Sequence, residues 1–515
     1  MASRTQSQPR ALIIGIDGGC FELVDPLVAT GALPHLAGLL ARGASARTTC
    51  TWPAHTAPGW SSFVSATNPG GHGIYQFYDT QDQGYGAVLR QAGDLGRSCA
   101  WDWLTAQGYT LGLINIPMSH PPRDLPGYQI TWPLAQTLRY CRPAGLLGEL
   151  KTGGAHFQPD LATMFRGDLG YIDEALGNVS ARVRSALHLM RHRPVDVVMI
   201  VFTEVDRVCH HYWHFSDTGH PRHDDPPAET GWDKAIERAY TAIDAAVGEL
   251  VAETDEDTSV VLVSDHGLGT GRYELAVHQV LAEAGLLSYA PSATDDADGR
   301  VASWFTEPGR AVDFTRTAVY SPTPGCYGLN VNLAGRQRDG IVTLADQAAV
   351  LAEATELMSG LRMPDGSGPV FRAVVPREVG YPGPHSGAAP DLLLIPKDES
   401  VIVTTGLGEP RWRPSWQTGL HRYRGMWVHA SPRVRPGRLA GTVPLVDLMP
   451  TLLADLGAGW PADIDGLPVV AALRPDVDIP AQLEDAEQSA RPAAMAGSRT
   501  EDTYVSDRLR EMGYI

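Results

Sequence analysis

Three aspartates stand at or just beyond the ends of short apolar runs. Asp17 follows ALIIGI, Asp206 closes the TEVD tetrad after DVVMIVF, and Asp265 follows SVVLVS. Carboxylates carried by separate strands can converge at one end of a sheet although they lie far apart in the chain. Three such charges would repel strongly, so their meeting calls for a cation. Histidines offer further ligands. His210 lies four residues after Asp206, one helical turn on, so the two share a face. His266 is the neighbour of Asp265, and His421 follows TGL shortly before a late strand-like run. Carboxylate oxygen and imidazole nitrogen without thiolate suit a catalytic zinc, or else manganese. Thr56, in TAPGWSSF, sits just before a predicted helix with Pro58 in its first turn. A helix N-terminus favours an alkoxide and an incoming anion. A threonine hydroxyl is a poor nucleophile at neutral pH, and a divalent metal would activate it. Singly, each residue has a plainer reading: an Asp after a strand caps a helix, a loop His is solvated, and Thr56 is an N-cap. Their coincidence points to a reactive centre.

Such a centre needs strands and helices to position it. The Val-rich runs at 196–202 and 259–263 lack polar alternation and read as fully buried parallel strands. Helical patterns at 34–42, 173–193 and 232–254 alternate with strands. This predicts an α/β fold: a doubly wound, mostly parallel central sheet with helices on both faces. Further strand-like runs occupy 391–395 and 425–429, followed by a helix near 446–456. Residues of about 75–160 and 290–385 read as insertions forming a cap over the site. A single catalytic domain is expected over 11–470, then an acidic mobile segment at 475–500 and a C-terminal docking segment at 501–515. GIDGG lacks the spacing of a dinucleotide fingerprint.

Composition narrows the partners. With 41 basic and 59 acidic residues among 515, the net charge is −18. A broadly acidic surface repels nucleic-acid polymers and anionic lipid. An anionic substrate then needs a local cation, which a bound metal supplies. No run reaches the roughly 18 apolar residues of a membrane span. The six cysteines are scattered without a CxxC pair. Together with the polar start MASRTQSQPR, this predicts a chain without a signal peptide, in the reducing cytoplasm.

The segments IIGIDGG, TAPGWSSFVSATNPGGHGIYQF, FTEVDRVCHHYW, VVLVSDHGLG and TGLHRYRG, in that order and spacing along most of 11–470, resemble the alkaline phosphatase superfamily on its type I phosphodiesterase/nucleotide pyrophosphatase side. The nearest branch in pattern is that of predicted phosphohydrolases and phosphomutases, and the terminal DRLREMGYI resembles it too. The resemblance implies a two-zinc phosphoester hydrolase. Asp17, Thr56, Asp265 and His266 match the ligands of the metal that holds the nucleophile. Asp206, His210 and His421 match those of the metal that activates water, and His72 matches a structural residue. Two in-line displacements through a phosphothreonine at Thr56 follow. Gly59 has no side chain to offer a phosphoryl oxygen, so nearby backbone N–H groups or another residue must do so. Two divalent ions would balance three aspartates and a Thr56 alkoxide. This favours a singly charged, nucleotide-like or other small phosphodiester. A monoester dianion would want a further cation, for which Arg207, Arg422 and Arg424 are candidates. Trp60, Tyr75 and Trp213, with Gly59, are the candidate substrate contacts, the aromatics stacking on a flat group. His211 and His214 read as residues near the site rather than ligands. A phosphoryl or sulfuryl transferase, or a phosphomonoesterase, is the alternative on the same site. Thr56 cannot become formylglycine, which argues against a sulfatase of that kind.

Overall fold

The computed structural model describes residues 8–86, 88–132, 140–159, 169–227, 229–289, 312–406 and 410–483. Ala11–Ile16 is the middle strand of the central sheet. It pairs in parallel with Val197–Phe202 on one side and Ser259–Val263 on the other. Every residue of these three strands is buried, as a sheet covered on both faces requires. Alternate side chains go to opposite faces. Leu12, Ile14 and Ile16 enter one apolar core, while Ala11 and Ile13 enter the other.

Among the described residues the sheet has nine strands. Their order is Gly437–Pro444, Ala44–Thr49, Arg424–Ala430, Ser259–Val263, Ala11–Ile16, Val197–Phe202, Leu111–Ile116, Gly127–Thr131 and Cys141–Arg142. Only Arg424–Ala430 and Cys141–Arg142 run against their neighbours. Helices Pro34–Arg42, Ile172–His192 and Ala235–Val251 cover one face through Leu36, Val179 and Ile243. Helices Thr56–Ser65, Ala100–Ala106 and Leu448–Leu456 cover the other through Trp60, Trp103 and Leu452. The doubly wound, mostly parallel α/β fold is therefore present.

Two expectations need correction. The segment 75–160 is not wholly an insertion, because it supplies three strands of the central sheet. The apolar run LGLINI at Leu111–Ile116 is fully buried, but the Pro- and Gly-rich flanks conceal it in a compositional reading. The second insertion is wider than 290–385. A four-stranded sheet of Val319–Tyr320, Gly328–Val331, Leu392–Pro396 and Phe371–Pro376 has its own core with helix Gln347–Ser359. The strand-like run at 391–395 thus belongs to this second sheet. The acidic segment beyond residue 483 and the docking segment 501–515 lie outside the described residues.

A short ribbon completes the positioning of the site. Gly267–Thr270 pairs antiparallel with Gly419–Arg422, with His421 opposite Leu268. That register brings His421 two positions from His266, across 155 residues of chain.

Candidate active site

Asp17, Asp206 and Asp265 leave the carboxyl ends of three adjacent strands, where ligands of open parallel sheets bind. Gly18 turns the chain sharply after Asp17 at a φ of +72°, a conformation that costs glycine little. Its N–H donates to Asp265 Oδ1 at 3.3 Å, tying the two strand ends together. Asp206 and His210 lie in the helix Glu204–Ser216, one turn apart. That helix is anchored at its start by a fully buried ion pair. Arg182 Nη1 donates to Glu204 Oε1 and Oε2 at 2.6 and 2.7 Å.

Thr56 opens the helix Thr56–Ser65 and is 7% exposed. Its Oγ1 lies 3.4 Å from Asp17 Oδ1 and 3.3 Å from His266 Nε2. His266 Nε2 is also 3.4 Å from Asp17 Oδ1 and 3.3 Å from Asp265 Oδ2. Beside them, His210 Nε2 and His421 Nε2 each approach Asp206 Oδ1 at 3.1 Å, and each other at 3.1 Å. The rings of His266 and His421 stack at 3.8 Å and join the two halves. Donor atoms of Asp17, Asp265 and His266 lie within 4.8 Å of one another, as do those of Asp206, His266 and His421. All seven residues singled out by the sequence thus meet at one place.

The donor chemistry fits divalent cations. His210, His266 and His421 turn Nδ1 toward the carbonyl oxygens of Gly419, Gly267 and Ala54, at 2.7, 3.1 and 2.9 Å. A carbonyl only accepts, so Nδ1 carries the proton and Nε2 offers a lone pair, the tautomer that metal-bound histidines use. Neutral rings would then point Nε2 lone pairs at each other and at carboxylate oxygen, a repulsive arrangement unless a cation lies among them. Asp265 Oδ2 is buried without a hydrogen-bond donor, although a buried carboxylate oxygen demands one. Burial, then the charge of Asp206, pushes the Asp17 carboxyl well above its ordinary value of 3.8. Burial, then Asp17 and Asp206, does the same to Asp265. Burial also raises Asp206, but positive charge placed beside it, at His210 and His421, overrides burial and holds that carboxyl well below 3.8.

A pH dependence follows for metal-stripped protein. Folded Asp17 and Asp265 keep protons that the unfolded chain releases near pH 4, so stability falls as pH rises from there through their raised values. The lowered Asp206 acts only below that window, where acid removes its contribution. Thermal unfolding of chelator-treated protein is expected to show this decline. Restoring divalent metal is expected to abolish it. An identical pH dependence with and without metal would contradict the assignment of these acids.

The substrate-contact expectations fare differently. Trp60 is 0% exposed, and its Nε1–H donates to Asp17 Oδ2 at 3.3 Å. It buttresses a candidate ligand and cannot stack on a substrate. Tyr75 is buried, donates its hydroxyl to His385 O at 2.7 Å and packs on Tyr381. Trp213 is half-buried, its Nε1–H engaged by Thr270 Oγ1 at 3.0 Å. The Gly59 N–H is spent on His55 O at 2.9 Å. A Cβ at position 59 would stand 2.9 Å from Asp265 Cβ, so glycine permits the close packing of the nucleophile helix on Asp265. Arg422 donates to the carbonyls of Glu399 and Thr270, which removes it as a phosphate partner. His72 is buried, with Nε2 on Ser62 Oγ at 2.8 Å and Nδ1 accepting from the Ile74 N–H at 3.1 Å, a structural place. His214 binds Thr418 Oγ1 through Nδ1. Spacing did not single out His55. Its ring lies edge-on to half-buried Phe77, with centroids 4.9 Å apart, and 6.0 Å from His421. Its place directly before Thr56 was the available signal.

A doubly wound sheet with aspartates and imidazoles gathered at its strand ends, facing a threonine at a helix N-terminus, defines an alkaline phosphatase-like phosphoester hydrolase. The chain belongs to the type I phosphodiesterase / nucleotide pyrophosphatase family, whose model matches residues 11–424. Similar solved structures include phosphonoacetate hydrolase from Sinorhizobium meliloti 1021 in complex with phosphonoacetate. It is 14% identical, with a TM-score of 0.52 over 86% of this chain and 95% of that one. Human ectonucleotide pyrophosphatase / phosphodiesterase 5 is 12% identical, with a TM-score of 0.50 over 87% and 95%. At such identities the likeness shows the fold. No curated protein matches the sequence.

Proposed function

We propose that the protein is a two-metal phosphodiesterase acting on a small phosphodiester, nucleotide-like or of similar size, through a phosphothreonine at Thr56. The observation that carries this reading is the position of Thr56 Oγ1, 3.3–3.4 Å from His266 Nε2 and Asp17 Oδ1 at a helix N-terminus. Asp17, Thr56, Asp265 and His266 would hold one divalent cation, and Asp206, His210 and His421 the other. Zinc is the ion best suited to these donors, with manganese second. When bound, the pair supplies Lewis-acid stabilisation of phosphoryl charge and acidifies coordinated hydroxyl groups.

In the first displacement, Thr56 Oγ1 attacks phosphorus in line. Its proton passes to solvent as the O–P bond forms, and the bond to the leaving group breaks as that oxygen takes a proton from water and departs as the alcohol. In the second, water attacks the phosphothreonine from the side that the alcohol vacated, which returns Thr56 and releases a phosphomonoester. Asp206, with His210 and His421, stands on the side from which that water comes. The positive end of the Thr56 helix dipole favours the incoming anion.

Arg422 is turned toward carbonyl oxygens and is not the further cation that a monoester dianion would want, which leaves Arg207 and Arg424 as candidates and a singly charged diester as the preferred reading. A diester and a monoester with the same chromogenic leaving group decide between them. At least tenfold higher kcat/KM is expected for the diester, and a preference for the monoester would overturn the reading. All six cysteines are free and buried, which supports a site of action in a reducing compartment such as the cytoplasm. No single helix among the described residues is long and apolar enough to cross a membrane.

A further inference from the structure

The chemistry described so far gives His55 no part, yet this residue precedes the nucleophile. Its backbone is extended, at φ −158° and ψ 141°, and it caps the Thr56 helix. The Ala57 N–H donates to His55 Nδ1 at 3.2 Å. A nitrogen that accepts carries no proton, so the ring is in the tautomer with hydrogen on Nε2. His210, His266 and His421 have the opposite tautomer, with Nδ1–H on carbonyls. The site therefore holds three imidazoles set to offer lone pairs and one set to donate. The His55 ring is 4.9 Å from that of Phe77 and 6.0 Å from that of His421, and the residue is half-buried rather than sealed. Meanwhile the position expected to lack a donor does lack one. Gly59 has no side chain and its N–H is used within the helix.

We propose that His55 Nε2–H donates a hydrogen bond to a non-bridging oxygen of the phosphodiester presented to Thr56. The proposal rests on the phosphodiesterase reading above. A neutral donor suits a singly charged diester, because it stabilises charge developing on that oxygen without adding a cation. No proton is transferred, and the hydrogen stays on Nε2.

His55→Asn separates this role from capping, since Asn is among the best N-caps and keeps an acceptor for the Ala57 N–H, but its shorter amide falls short of the Nε2 position. His55→Ala removes both functions. The measurement is kcat/KM for a chromogenic diester and for the two diastereomers of its phosphorothioate, in which sulfur replaces one non-bridging oxygen. Both variants are expected to lose about 10²-fold, with the metal content of wild type and, for His55→Asn, its thermal stability. In wild type one diastereomer is expected to be penalised, and in His55→Asn that penalty shrinks, a readout that a capping role would not move. Wild-type rates and an unchanged thio effect in His55→Asn would overturn the role of His55 and leave the phosphodiesterase reading standing. A wild-type enzyme that does not cleave the diester would overturn both.

Discussion

Thr56→Ala is expected to lose at least about 10³-fold in kcat, or about 4 kcal/mol of transition-state stabilisation, while the fold and the bound metal persist. The side chain is small and lies at the start of its helix. Methyl and hydroxyl loss at an N1 position leaves the capping contact of His55 with Ala57 in place. Removing Oγ1 removes the atom proposed to form a covalent bond to phosphorus. Rapid quenching of wild type with a diester, followed by peptide mass spectrometry, should find on Thr56 a phosphoryl group that still carries the retained ester substituent, and none in the variant. Retention of wild-type turnover in Thr56→Ala would show that another group attacks phosphorus.

Asp206→Asn is the second large effect. Asp206 Oδ1 is the shared partner of His210 and His421 at 3.1 Å each. The amide is isosteric but uncharged, so the attraction that holds a divalent ion against two imidazoles weakens sharply. A divalent ion held there should be lost, and kcat should fall at least about 10²-fold, the scale of a single electrostatic stabiliser. Because the first displacement needs the other half-site more directly, the variant should accumulate phosphothreonine. A variant with unchanged metal content would contradict the assignment of Asp206.

Much of this site is legible in the residues themselves. The acids follow apolar runs that have to be strands, and parallel strands bring their carboxyl ends to one edge. Asp206 and His210 are linked by helical spacing alone. His421 differs, since only the pairing of Gly419–Arg422 with Gly267–Thr270 brings it to His266, and no local pattern encodes a contact of that range. Only the family resemblance makes it a candidate ligand from the sequence. Aromatic side chains misled for a physical reason. Trp60 and Tyr75 adjoin the reactive motifs in sequence, but helix and turn geometry sends their rings inward, where large apolar area is best buried. Leu111–Ile116 was hidden by its Pro- and Gly-rich surroundings, although its six residues have the composition of a central strand. His55 was missed because histidine is not among the preferred N-caps, so its contact with Ala57 could not be anticipated.

Asp17, Asp206 and Asp265 share one corner of the molecule, and with their carboxyls ionised they call for cations there. Quantitative elemental analysis of protein purified without added metal, paired with activity before and after chelation, addresses this directly. About two divalent ions per chain are expected, with activity lost on stripping and regained on adding zinc or manganese. Full turnover by protein free of divalent metal would contradict the account.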